Sequence, residues 1–310
     1  MRIFNDLSTL PKAENTILTL GIFDGVHLGH RKIIEKLKKK AAILNCRNLV
    51  ITFSPHPRNV ISGKRDLMLL TTIKEKIKLL EEIGVENLLI INFTKEFSQL
   101  SSEKFFNDYI IEKIGIKEIV VGYDHHFGKG RSGDINTLRK MGMEFGFDVT
   151  SVEPFKIDNE AVNSTKIRKA LAEGNIKIAN SFLGREYSFG GIVVEGDKRG
   201  RELGFPTANI FVDDEKLLPM MGIYAVEFLF DDEKHKGLLS IGIRSTFYDS
   251  GKIVVEVYLY DFSRDIYNKK ITVRIIDWVR GEEKFTSAEA LVEQMQKDKI
   301  KGLEIFKKAS

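Results

Sequence analysis

Hydrophobic and polar positions alternate in two textures along the chain. In the first half, short β-branched runs at 16–22, 48–54, 87–93, 118–122 and 147–152 are separated by amphipathic patterns near 30–45, 72–83, 102–114 and 134–145. Apolar runs between helical periods predict strands covered on both faces, hence a parallel, doubly wound α/β sheet. In the 30–45 pattern, Ile33, Ile34, Leu37, Ala41 and Leu44 share one helix face, and the basic run around Lys36–Lys40 reads as its solvated side.

Two more helical patterns follow, 164–173 closed by Gly174, and 175–183. From Tyr187 onward strands dominate, at 187–195, 222–230, 236–243, 253–260 and 270–279, with turns at Asp231-Asp232 and Asp249-Ser250-Gly251. A helix over 287–297 places Ala288, Leu291 and Met295 on one face. This half predicts a small antiparallel β-barrel with a C-terminal helix. The 310 residues suit two domains at roughly 100–200 residues each. With no internal repeat, the expected division is 1–183 and 184–310.

Composition narrows the class without naming it. Hydrophobic residues make up 43% and charged residues 30%, the balance of a soluble globular chain. No apolar run approaches the roughly 18 residues of a membrane span, and the short stretch before Asp24 lacks a signal-peptide pattern. Cys46 is the only cysteine, which excludes an intrachain disulfide and fits a reducing cytoplasm. The net charge of +4 comes from 48 basic and 44 acidic residues spread along the chain. No nucleic-acid partner is expected from that pattern.

Two glycine-rich segments carry candidate chemistry. In Gly21-Ile-Phe-Asp-Gly-Val-His-Leu-Gly-His30 a strand gives way to a helix expected to start near Leu28, with His27 and His30 at its N-terminal end. Free amides and the helix dipole there favour an anion, and imidazoles can donate to phosphate oxygens; Gly25 and Gly29 permit close backbone approach. Read alone, two histidines three apart are equally a coincidence or part of a zinc site. In Gly196-Asp-Lys-Arg-Gly-Arg-Glu-Leu-Gly-Phe-Pro-Thr-Ala-Asn209, backbone amides and Lys198 could cradle phosphate, while Thr207 and Asn209 offer neutral oxygens on one side of a strand. No Gly-Lys-Ser/Thr follows, so this is not a Walker A loop. Period two also places Val254, Glu256, Tyr258 and Tyr260 on one strand face, where a lone Glu is most often solvated.

The first motif resembles the adenylylation motif of the bacterial bifunctional riboflavin kinase/FMN adenylyltransferase (FAD synthetase) family. Similar segments follow in order: Thr52-Phe-Ser-Pro-His-Pro57, Gly122-Tyr-Asp-His-His-Phe-Gly128 with Arg131 and Gly133, and Ser164-Thr-Lys-Ile-Arg168. The Gly196–Asn209 segment and Val-Glu-Val-Tyr with Asp261-Phe262 resemble the kinase half, so the likeness covers essentially the whole chain.

The resemblance implies a nucleotidyltransferase-like domain followed by a riboflavin kinase-like barrel. It implies ATP as co-substrate with Mg²⁺, and riboflavin, FMN and FAD as the other small molecules. His27, Gly29, His30, Ser164, Thr165 and Arg168 would hold ATP phosphates, with Gly21, Phe23, Asp24 and Gly25 shaping that site. Gly196, Lys198, Gly204 and Pro206 would form the second nucleotide loop, Thr207 and Asn209 would bind the metal, and Glu256 would be the kinase base. His56, Pro57, Asp124, His126, Phe127 and Arg131 would line the flavin or substrate side; read from sequence, His56 equally stiffens a loop. Departures from the family pattern are Ser240 and Ser245 for Asn and Pro, Asn163 for Ser, and His125-His126 for Phe-Arg. The alternatives are an adenylyltransferase for another phosphorylated small molecule with a non-catalytic barrel, and a flavin-binding regulator that contacts nucleic acid.

Overall fold

Strand β2 (Thr16–Leu20) is buried at every residue, as the centre of a parallel sheet must be. In the computed structural model, which describes residues 1–64, 66–196, 200, 203–243, 251 and 253–309, the chain divides into two compact units, Met1–Ser164 and Thr165–Ser310.

The first unit is built on β1 (Arg2–Phe4), β2, β3 (Arg47–Ser54), β4 (Asn87–Asn92), β5 (Glu118–Gly122) and β6 (Asp148–Val152), in the order β1-β4-β3-β2-β5-β6. All five pairings are parallel. Period two sorts the core onto two faces. Ile17, Val50, Leu88, Ile90 and Val120 meet Ile34 and Leu37 of helix α1 (Leu28–Ile43) and Leu80 of α3 (Ile73–Glu82). Leu18, Leu49, Ile51, Leu89 and Val121 meet Phe106 and Ile110 of a π-helical stretch (Phe106–Ile114), which continues α4 (Ser102–Phe105), and Leu138 of α5 (Ile135–Phe145). The short α2 (Pro57–Ser62) follows β3, and a small ribbon of β7 (Lys156–Ile157) and β8 (Glu160–Ala161) precedes Ser164. Reversal of strand order between β3-β2 and β5 puts the loops after β2, β3 and β5 at the crevice where such sheets bind ligands.

The second unit opens with α6 (Ser164–Ala172), whose first residue closes the first unit, and α7 (Ile176–Leu183). Asn180 ties α7 to the barrel by donating to the Ile275 carbonyl at 3.0 Å and accepting from the Tyr187 amide at 2.7 Å. Six strands, β9 (Tyr187–Val194), β10 (Thr207–Val212), β11 (Gly222–Phe230), β12 (Glu233–Ile243), β13 (Ile253–Leu259) and β14 (Lys270–Arg280), close in the order β10-β13-β12-β11-β14-β9. Asp231 and Asp232, both at positive φ, make the tight turn between β11 and β12. The face with Tyr224, Phe228, Leu239, Val257, Val273 and Ile275 is fully buried. The opposite face carries Ala225, Leu238, Tyr258 and Val279, covered by Ile305 and Phe306 of α8 (Ala288–Ala309). That helix runs well past the expected end at 297, and the strand expected to carry Thr207 and Asn209 is β10, six residues long.

Candidate active sites

Helix α1 begins at Leu28 with His27 as its N-cap, and the His27 Nδ1 accepts from the His30 amide at 3.3 Å. That bond fixes the tautomer: in the neutral ring the proton sits on Nε2, which becomes the donor atom. The His27 and His30 rings stack at 3.6 Å between centroids, and Phe23 meets His30 edge-on at 5.2 Å. A Cβ on Gly29 would lie 3.1 Å from the His27 ring, so glycine leaves that ring its place. Two imidazoles therefore converge on the anion-favouring end of α1.

The backbone beneath them is strained. Phe23 and Val26 take φ of 50° and 41°, conformations costly for bulky residues and kept only where the surroundings over-determine them. Asp24 supplies part of that determination. Its carboxylate accepts from the Leu70 amide at 3.2 Å, the Thr71 amide at 3.0 Å and the Thr71 hydroxyl at 3.3 Å. The Thr71 hydroxyl in turn accepts from the Gly25 amide at 3.0 Å, and Ser164 donates to the Asp24 carbonyl at 3.0 Å. Asp24 is 4% exposed, and these bonds make it a brace of the loop. Gly21 donates to the Ile51 carbonyl at 3.0 Å and extends the strand register into the motif.

The remaining first-motif candidates separate. His56 caps α2, its Nδ1 accepting from the Arg58 amide at 3.1 Å, and Pro57 is the first residue of that helix. Asp124, His126 and Arg131 are exposed on the loops after β5. Phe127, expected beside substrate, is 6% exposed, meets the Phe106 ring at a tilt with 5.1 Å between centroids, and pairs with Gly133 in a local bridge. Its neighbour His125, a departure from the family pattern with no role assigned from sequence, lies over Phe127 at 5.9 Å. Burial, then the charges of His126 and Arg131, push the His125 pKa down to about 4. Thr165 and Arg168 belong to the second unit, on α6.

Lys76, also unanticipated, is 5% exposed beneath the motif and donates to the Ile22 carbonyl at 2.7 Å. Desolvation pulls its pKa down to about 8, with Asp24 opposing. The sequence signal was a lysine at a core position of α3, in register with Ile73, Ile77 and Leu80.

In the barrel, register assembles the second site. Across β10 and β13, Thr207 pairs with Tyr258 and Asn209 with Glu256; across β12 and β13, Ser240 pairs with Glu256. Directly paired residues share a face, so Glu256 stands between Asn209 and the departure residue Ser240. A cavity of about 410 Å³ opens over this face. Its lining includes Thr207, Ser240, Glu256, Arg280, Leu291 and Met295. The buried Asp298 closes it from α8, paired with Arg280 at 2.8 Å. At the mouth, Phe205 donates its amide to the Gly200 carbonyl at 2.7 Å and packs edge-on against Tyr258 at 5.1 Å. Gly196 abuts Asn209, Gly204 turns at φ 79°, and Pro206 leads exposed into β10. Lys198 and Ser245 lie outside the described residues. Among the described residues no three His, Cys, Asp or Glu side chains converge as a metal cluster.

A parallel-sheet unit with histidines at a helix N-terminus, followed by a closed barrel with a carboxylate facing a cavity, defines a two-domain nucleotide-dependent transferase. The FAD synthetase family model matches residues 9–166, and the riboflavin kinase family model matches residues 183–306. A bifunctional riboflavin kinase/FMN adenylyltransferase of Listeria monocytogenes is 38% identical over 92% of this chain and 90% of its own. The Escherichia coli K12 protein of the same name is 36% identical over 99% of this chain and 97% of its own. A crystal structure from Streptococcus pneumoniae, described as a macrolide-efflux protein, is similar at a TM-score of 0.87 and 30% identity, covering 96% of this chain and 97% of that one. Among the described residues here no helix is long and apolar enough to cross a membrane. The chain belongs to the bifunctional riboflavin kinase/FMN adenylyltransferase family. It converts riboflavin and ATP to FMN, and FMN and ATP to FAD.

Proposed function

We propose that riboflavin is phosphorylated on the Glu256 face of the barrel and that FMN is adenylylated at the histidine loop of the first unit. The observation that carries this reading is the register that sets Glu256 directly beside Asn209, on the face of Thr207 and over the cavity. Glu256 orients the riboflavin 5′-hydroxyl and takes its proton as the new O–P bond forms at the γ-phosphorus, with ADP leaving. Thr207 and Asn209 supply neutral oxygen donors, with no competing His or Cys cluster among the described residues, a set that suits a hard cation sharing phosphate oxygens and water. These two residues would hold Mg²⁺, which when bound neutralises charge on the transferring phosphates. Gly196, Gly204 and Pro206 shape the loop, and Lys198 is assigned to its phosphates.

At the first site the FMN phosphate oxygen attacks the α-phosphorus of ATP and diphosphate leaves, so alignment and charge stabilisation suffice without a protein nucleophile. His27 and His30 donate to the triphosphate, and Ser164, Thr165 and Arg168 are assigned to its outer phosphates. Gly21, Phe23, Gly25 and Gly29 give the loop its path. His56, Pro57, Asp124, His126 and Arg131 are assigned to the flavin side. The catalytic domains are taken as 1–183 and 184–310.

The proposed setting is cytoplasmic, with neither nucleic acid nor membrane as partner; a salt-dependent shift of DNA or RNA would count against it. The purified chain, given riboflavin and ATP with and without Mg²⁺, is expected to accumulate FMN and then FAD only with the metal. Products resolved by chromatography decide it: FMN formation that ignores both Mg²⁺ and Glu256→Gln would overturn the barrel assignment.

A further inference from the structure

Helix α3 presents Ile73, Lys76, Ile77 and Leu80 toward the sheet, so a lysine occupies a position its periodicity reserves for an apolar side chain. A buried ammonium is costly unless its bonds are met. Lys76 meets them on the motif itself, donating to the Ile22 carbonyl at 2.7 Å and lying 3.4 Å from the Thr52 hydroxyl. Thr52 donates to that same carbonyl at 3.1 Å. Two donors from α3 and β3 thus converge on one peptide oxygen, immediately before the strained Phe23.

The start of the same helix holds the other side of the strain. Leu70 and Thr71 bind the Asp24 carboxylate, and the Thr71 hydroxyl takes the Gly25 amide. Thr72 and Glu75 close a capping box directly after them, which fixes these donors to the first turn that carries Lys76. The segment 70–76 therefore grips Ile22, Asp24 and Gly25, and His27 follows within two residues as the cap of α1.

We infer that Lys76 is a positioning residue for adenylyl transfer: through the Ile22 carbonyl it sets the height of the strained loop, and so the placement of His27 and His30 against the triphosphate. This rests on the assignment of those histidines to the ATP phosphates. Ordinary core packing would have been served better by Met or Leu at this position, without the desolvated charge. The ammonium makes sense where a carbonyl must be held against a backbone that would otherwise relax.

The test uses the full chain and three variants, with riboflavin kinase activity as the internal control for folding. Lys76→Met fills the same space and removes the buried charge, so the thermal transition of the first unit should not fall. Its kcat for FAD formation should nevertheless drop by about 10–100-fold, the scale of a misplaced catalytic group, with KM for ATP and FMN little changed. Unchanged kcat would overturn the inference. So would a loss of activity matched by loss of the folded first unit, unless Thr52→Val, which keeps the Lys76 ammonium and removes the second donor to the Ile22 carbonyl along with the 3.4 Å contact to Lys76, lowers kcat on its own without shifting the transition. His30→Ala, run in parallel, separates the two levels. Intact FAD synthesis there overturns the histidine assignment and the positioning role with it. A crippled His30→Ala beside a fully active Lys76→Met overturns the positioning role alone.

Discussion

Asn209 on β10 and Glu256 on β13 are direct cross-strand partners, so one barrel face offers a neutral oxygen donor and a carboxylate side by side. Glu256→Gln preserves the size of the side chain and removes the proton acceptor. Kinase turnover should fall by about 10²–10⁴, while conversion of supplied FMN to FAD persists. Parallel assays of the two half-reactions check this. Equal loss of both would make Glu256 a structural residue.

Gly196→Ala probes the same pair from the loop side. Its new Cβ would lie 2.0 Å from Asn209 Nδ2 and 2.5 Å from Asn209 Cγ. A side-chain rotation relieves that clash cheaply, so the unfolding midpoint should move little. Asn209, however, leaves its place beside Glu256, and kinase turnover should fall by about 10-fold or more. Titrating Mg²⁺ at fixed ATP should show a higher metal requirement than in the parent chain. An unaltered Mg²⁺ profile would remove Asn209 from the metal.

Most of the architecture was legible because it rests on periodicity, which is local. The runs that became β2 to β5 are largely continuous and apolar, and the barrel strands alternate, so each announced its type. Other elements were missed or cut short for local reasons. β1 has three residues, β10 follows a glycine loop that masks its start, and α8 continues through the charged stretch Lys297–Lys301, where its face is less apolar. The glycine and histidine spacing exposed both loops. What spacing could not supply was the partner arriving from elsewhere in the chain. Asp24 is bonded to Leu70 and Thr71, and Phe127 meets Phe106, contacts that no spacing within either motif announces.

Asp24→Asn tests the bracing of the loop. The amide keeps one acceptor but turns a donor toward the Leu70 and Thr71 amides, leaving a mismatch worth about 1–3 kcal/mol. The first unit should lose stability by that order, read from its thermal or urea transition, with the kinase rate at 25 °C unchanged. A stable variant whose only defect is a raised KM for ATP would return Asp24 to the nucleotide site.

His125→Phe concerns the other buried mismatch. Among the described residues the Nε2 of His125 is buried without a hydrogen-bond partner, and its ring already lies nearly parallel to Phe127, 19° between planes. Phenylalanine keeps the stacking and removes the unsatisfied nitrogen, so the first unit should gain about 1 kcal/mol near neutral pH. The gain should grow in acid. Because burial holds the folded pKa at about 4, below the ordinary imidazole value of about 6.5, the unfolded chain binds a proton here that the folded chain resists. The parent therefore keeps the full contribution of this residue above pH 6.5 and loses it progressively as pH falls through 4. The variant has no such group. Unfolding midpoints of the two chains, compared between pH 7 and 4, should diverge toward the acid end; parallel curves would mean that His125 is solvated and its ring free to protonate in the fold.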